Sequence, residues 1–128
     1  MSSSTMEVAK KLVELCKQHK HKEAMEALYS PKIVSIEAGG PPGKDPRSEG
    51  IAAVKAKAQW WEENHQIHKS EIAGPWPHGD RFIVRFTYEV TAKAGPMSGQ
   101  RFTMDEAALY TVKDGKVVHE EFFYNMGG

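Results

Sequence analysis

From residue 101 to 124 the chain alternates apolar and polar residues in two runs, RFTMDEAALYTV and VVHEEFFY, around Lys113-Asp114-Gly115-Lys116. Period-two alternation about a short Asp-Gly turn predicts a β-hairpin. In the first run Phe102, Met104, Ala108, Tyr110 and Val112 share a face that Glu106 interrupts. In the second, Val118, Phe122 and Tyr124 share a face that Glu120 interrupts. A carboxyl is costly to bury on an apolar strand face, so these two glutamates are the first candidates for chemistry.

The same reading assigns the rest of the chain. Val8, Leu12, Leu15 and Cys16 recur at helical spacing and predict a first helix to about His19. Ser4 or Thr5 would cap it, with residues 1–4 frayed. Residues 22–29 carry Ala24, Met25 and Leu28 on one side and predict a second helix, ended by Ser30-Pro31. A short β-branched strand over 33–38 follows, then a loop over the Gly- and Pro-rich 39–50. Residues 51–64 predict a third helix in which Trp60 and Trp61 point about a hundred degrees apart, so that one packs inside and the other lines a rim or an interface. The main sheet starts at 65–73, turns through 74–80, runs along 81–93 and turns again through 94–99. The expected class is α+β: three N-terminal helices on one face of a strongly curved, mainly antiparallel sheet, with residues 1–128 as one domain.

Composition narrows the function. Seventeen Lys+Arg balance seventeen Asp+Glu, which leaves no electrostatic footprint for nucleic acid or an anionic membrane. No apolar run approaches the ~20 residues that span a bilayer, and the opening MSSSTM has no apolar signal region. With one cysteine, Cys16, no internal disulfide forms, and the expectation is a cytoplasmic protein. His65, His68 and His78 form no paired helical metal motif, and His19 and His21 read as solvated, so no metal is expected. No phosphate-cradling glycine loop or nucleophile elbow is present, and no cofactor is expected.

The order of elements, together with ALYSPKIVSIE, KDGKVV and the terminal EEFFY, resembles the NTF2-like superfamily over nearly the whole chain. More narrowly it resembles the SnoaL-like proteins related to ketosteroid isomerase and polyketide cyclase. The resemblance implies a cone-shaped fold with a pocket at its open end for a small hydrophobic ligand, and a homodimer through the outer sheet face. Ile83, Val117 and Phe123 are the apolar residues expected on that outer face. Carried over residue by residue, the general-base position of ketosteroid isomerase-like members falls on Glu37. The two oxyanion donors of those enzymes fall near Val13 and Ala108, neither of which can donate, so the resemblance does not extend to steroid isomerisation.

If Glu37, Glu106 and Glu120 share one apolar cavity, they cannot all stay ionised, and one is poised for acid/base chemistry. Tyr124 is the candidate hydrogen-bond donor, and Trp61, Phe82, Phe86, Tyr88 and Phe122 are the candidate ligand walls. Three structural alternatives stand beside this. Glu37 can pair with Arg47 or Lys44, Glu120 with Arg85 or Arg101, and Asp105 takes the inward place of Glu106 if the strand slips by one. The functional expectation is a cofactor-free isomerase or cyclase-type enzyme acting on a hydrophobic carbonyl compound. The competing ones are a non-catalytic binding domain for a small hydrophobic ligand and a protein-interaction module.

Overall fold

Helix α1 (Ser2–Lys17) buries Thr5, Val8, Ala9, Leu12, Val13 and Cys16, a continuous stripe at helical spacing. The stripe begins at Thr5, so the helix starts at Ser2 and the expected frayed end and Ser4 or Thr5 cap are corrected. The structure, a computed structural model, describes residues 2–38 and 45–124, the side chains of 2–4 excepted. Residues 39–44, including the Lys44 weighed as a partner for Glu37, lie outside the described residues.

His19 takes a left-handed conformation (φ 60°) just past α1, and Lys20 N–H bonds back to the Leu15 carbonyl at 2.9 Å. That closure satisfies the last carbonyls of α1 and turns the chain at once into α2 (His21–Leu28). His21 is therefore packed in the body of the protein, correcting the solvated reading. Its Nδ1 lies 3.6 Å from the Cys16 sulfur and its ring 6.5 Å from that of Phe86. Burial holds its pKa below the ordinary range. The same burial pushes the Cys16 thiol up to about 12, leaving it an inert core group.

Strand β1 (Tyr29–Ile36) follows directly, then β2 (Arg47–Glu49), a short strand within the stretch expected to be only loop. Helix α3 (Ile51–Glu63) leads into β3 (His65–His78), β4 (Arg81–Ala92), β5 (Arg101–Lys113) and β6 (Lys116–Phe123). The six strands form one sheet in the order β2-β1-β6-β5-β4-β3. All neighbours are antiparallel except β1 and β6, which run parallel. Strand β3 continues through the residues expected to turn, because a bulge between Ala73 and Trp76 absorbs Gly74-Pro75. Gly74 is required there. Its φ is +108°, and a Cβ would stand 2.9 Å from the Ile83 carbonyl oxygen.

The closing hairpin turns on Asp114 and Gly115, both with positive φ (52° and 76°), the two-residue turn suited to strand twist. A second bulge, between Thr111 and Val112, shifts the register so that Val112 pairs with Val117. Val117 is consequently buried in the core, not on the outer face where plain alternation put it. Ile83 and Phe123 do lie outward, 42% and 49% exposed. Helix α1, flanked by α2, covers the inner sheet face over Phe82, Val84, Phe86, Tyr88, Val90, Ala108 and Tyr110, and this is the core, while α3 packs on β1, β2 and β3. No helix among the described residues is long and apolar enough to cross a membrane.

Candidate functional site

The strand pairing stacks polar and small residues in rows across the inner face. Ser35 on β1 sits opposite Glu120 on β6, which sits opposite Tyr110 on β5. In the next row Phe122 pairs with Ala108, and in the row beyond, Glu106 pairs with Phe86 on β4. Glu37 follows the end of β1, where its N–H bonds the Pro46 carbonyl at 2.9 Å. The three glutamates thus surround the small Ala108 and the Phe122 ring.

Glu120 is buried and accepts a hydrogen bond from the Tyr29 hydroxyl. Burial raises its pKa even though Tyr29, Lys57 and Ser35 all favour its charged form. Neither arginine weighed as its partner is there. Arg85 clamps Asp105 at 2.9 and 2.6 Å, and Arg101 clamps Glu89 at 2.8 and 2.6 Å, both on the outer face. Asp105 is exposed, so the register places Glu106 and not Asp105 inward.

Glu37 pairs with neither Arg47, which holds Glu49 at 2.7 Å, nor any other arginine among the described residues. Its partner is Lys57 on α3, whose Nζ lies 3.3 Å from Glu37 Oε2 and 2.5 Å from Ser35 Oγ. The Tyr124 hydroxyl donates to Glu37 Oε1 at 3.3 Å. Lys57 also stands 5.4 Å from the centre of the Phe122 ring. A hydrogen-bonded chain therefore joins the buried Tyr29–Glu120 pair, through Ser35 and Lys57, to the half-open Glu37 and Tyr124.

Glu106 has no hydrogen-bond partner in this chain among the described residues. Burial, then the charges of Glu37 and Glu120, push its pKa up to about 7, and Lys57 offsets part of that. Burial, then the charges of Glu37 and Glu106, push the Tyr124 phenol up as well, so it remains a donor. The expected wall residues divide into groups. Phe82 stacks on Tyr110 at 4.9 Å deep in the core, and Phe86 stacks on Tyr88 at 6.0 Å. Trp61 packs against the core, stacked on His65 at 4.5 Å and tilted on Tyr88 at 5.6 Å, whereas Trp60 is 59% exposed. Phe122 lies beside the acids, under Lys57. Among the described residues, no group of three or more His, Cys, Asp or Glu side chains is arranged to hold a metal ion.

Sequence reasoning missed Lys57, Ser35 and Tyr29 as parts of this cluster. Lys57 lies on the stripe Val54, Ala58, Trp61 of α3, a spacing that already marks it as facing the sheet. Ser35 alternates with Ile33 and Glu37, so period two puts it on the same face.

The family model of the SnoaL-like domain matches residues 3–124. Among solved structures, a candidate SnoaL-like polyketide cyclase of Mesorhizobium loti, also described as a carbohydrate phosphatase, is 44% identical. The match covers 93% of this chain and 97% of that one, with a TM-score of 0.85. A candidate SnoaL-like polyketide cyclase of Jannaschia is similar at 17% identity, covering 98% and 88% with a TM-score of 0.77. An NTF2-like protein of Burkholderia pseudomallei is similar at 20% identity, covering 95% and 91% with a TM-score of 0.72. These last two share the fold. No curated protein matches the chain.

Proposed function

The chain belongs to the SnoaL-like domain family, and from that premise we propose that it binds a small apolar carbonyl compound and moves a proton on it without a cofactor, as an isomerase- or cyclase-type enzyme. The observation that carries this reading is Glu106. It is an inward carboxyl with a pKa near 7, where a group can both take and return a proton at neutral pH. In this reading Glu106 is the proton carrier, and Tyr124 turns its one O–H from Glu37 to donate a hydrogen bond to the ligand carbonyl. Glu37, already paired with Lys57, orients those groups instead of acting as the base. Glu120, locked by Tyr29, holds the floor. Phe122, under Lys57, is the aromatic surface beside the polar groups, suited to a flat ligand. A phosphate ester fits less well, because among the described residues three carboxyls face one ammonium, Lys57.

The second reading, a non-catalytic binding domain, draws support from Glu37 and Glu120 both being satisfied within the resting protein. One experiment separates the two. Enolisable aryl and polyketide-like ketones are screened by thermal shift, and hits are incubated in deuterated water and followed by mass spectrometry. The enzyme reading expects wild-type protein to exchange the α-proton and Glu106→Gln to bind but exchange about 10²–10⁴ times more slowly. Binding without exchange above the protein-free rate would assign the pocket to binding alone, and exchange unaffected by Glu106→Gln would remove Glu106 as the proton carrier.

The outer face is proposed as a homodimer surface, supported by the neighbouring Trp76, Ile83 and Leu109 and by Phe123. Sedimentation of Ile83→Glu/Phe123→Glu as a monomer beside a wild-type dimer supports it, and a wild-type monomer at micromolar concentration rules it out. The cytoplasm is the proposed place of work, in keeping with one free, buried cysteine.

A further inference from the structure

Among the described residues Lys57 is the one cation beside the inward acids, and proton transfer by Glu106 leaves it without a chemical task. We propose that Lys57 is the oxyanion-binding residue of the site, receiving the enolate or phenolate oxygen of a conjugated ligand whose ring rests against Phe122. This assignment rests on the carbonyl-pocket reading above and names the ligand class it takes.

An ammonium carries three donors. Two are committed, to Ser35 Oγ at 2.5 Å and Glu37 Oε2 at 3.3 Å. The third has no partner in this chain among the described residues, and the nitrogen stands 5.4 Å from the Phe122 ring centre. The Lys57 side chain is 28% exposed, enough for a ligand atom to reach it. Its position is fixed from below: Ser35 is buried beside Glu120, and Glu120 is tied to Tyr29. A charge held in advance of the ligand stabilises a developing oxyanion without reorganisation.

The charge balance permits an anion. Facing Lys57 are Glu37 at the end of β1, Glu106 on β5, and Glu120 with Tyr124 on and after β6. Glu106 keeps its proton up to about pH 7 and burial raises the Glu120 carboxyl as well, so an anion beside Lys57 meets less opposing charge than three fully ionised acids would set. In the reaction, ionised Glu106 takes the proton from the carbon beside the carbonyl. The C–H electron pair forms the new C=C bond, and the C=O π pair moves to oxygen, beside Lys57 and the Tyr124 hydroxyl. Return of the proton from Glu106 to another carbon of the conjugated system re-forms the carbonyl and leaves Glu106 as it began.

The probe is 4-nitrophenol, whose ionised form is yellow and mimics an enolate. It is titrated by absorbance into wild-type protein, Lys57→Arg and Lys57→Met across pH 5–9. The expected result is that wild type holds the yellow form, so the bound phenol ionises at lower pH than the free one. Affinity for that form weakens as Glu106 ionises around pH 7. Lys57→Met weakens it by about ten- to a hundredfold, and Lys57→Arg keeps most of it. Should Lys57→Met fail to fold, the wild-type spectrum and Lys57→Arg still decide. A wild-type protein that holds only the colourless form, or equal binding of the yellow form by wild type and Lys57→Met, overturns the role of Lys57 while the pocket stands. Binding of neither form removes the pocket reading and this assignment with it.

Discussion

Asp105 and Glu106 are neighbours on β5, yet the first is clamped by Arg85 in solvent and the second lies inside against Phe86. The guanidinium holds the Asp105 carboxyl below its usual range, whereas burial lifts Glu106 to about 7. The rest of the sheet repeats the contrast. Outside, Glu89 has its own arginine, Arg101. Inside, among the described residues, Glu37, Glu106 and Glu120 share one ammonium, Lys57, and the hydroxyls of Tyr29, Ser35 and Tyr124. Acids of the same kind become ordinary ion pairs or titratable groups according to how many cations face them and how much water remains. Strand parity decides which. An exposed pair is screened and adds little, while an inward acid without a matching cation moves its pKa instead.

Substitutions that move charge between the faces test the contrast, and the largest effect is expected at Val117. Val117→Asp places an unpaired carboxyl in the core and should cost more than about 4 kcal/mol in urea denaturation, or prevent folding. Next comes the pH dependence. Folded Glu106 keeps its proton up to about 7, while the unfolded chain releases it near 4.5. Between those values the folded state binds more protons, so this contribution is complete below 4.5 and lost as pH rises through 7. The loss amounts to about 3 kcal/mol. Glu106→Gln lacks that loss, so its stability should fall less than wild type's between pH 4.5 and 8, and parallel curves would contradict the raised pKa. Tyr29→Phe removes the donor to Glu120 and should cost about 2 kcal/mol by the same denaturation measurement. Asp105→Asn, on the outer face, should leave the denaturation midpoint unchanged within error.

Much of this contrast is legible in the sequence where the signal is local. The even-numbered apolar positions from Phe102 to Tyr110, counted back from a two-residue Asp-Gly turn, put Glu106 inward and Asp105 outward. The three helices and the long strand over Phe82, Val84, Phe86, Tyr88 and Val90 follow from periodicity in the same way. What escaped depends on backbone irregularity or distant pairing. The bulge at Thr111/Val112 reverses the parity of the second hairpin strand, so Val117 goes in where alternation puts it out. Glu37 and Tyr124, 87 residues apart, meet only because β1 runs parallel to β6, and neither strand carries a local sign of that pairing. Lys57 was hidden for a different reason. A lone lysine between Ala56 and Ala58 reads as solvated unless the stripe of Val54, Ala58 and Trp61 is extended to include it.

The central claim is that an inward, unpaired carboxyl on β5 titrates near neutrality because burial and two neighbouring acids oppose its charge. Carbon-detected NMR of the glutamate side-chain carboxyls, titrated from pH 3 to 9 with Glu106→Gln to assign the signal, tests it most directly. A Glu106 midpoint of about 7 is the predicted result. A midpoint near the ordinary glutamate value of 4.5 would contradict the account.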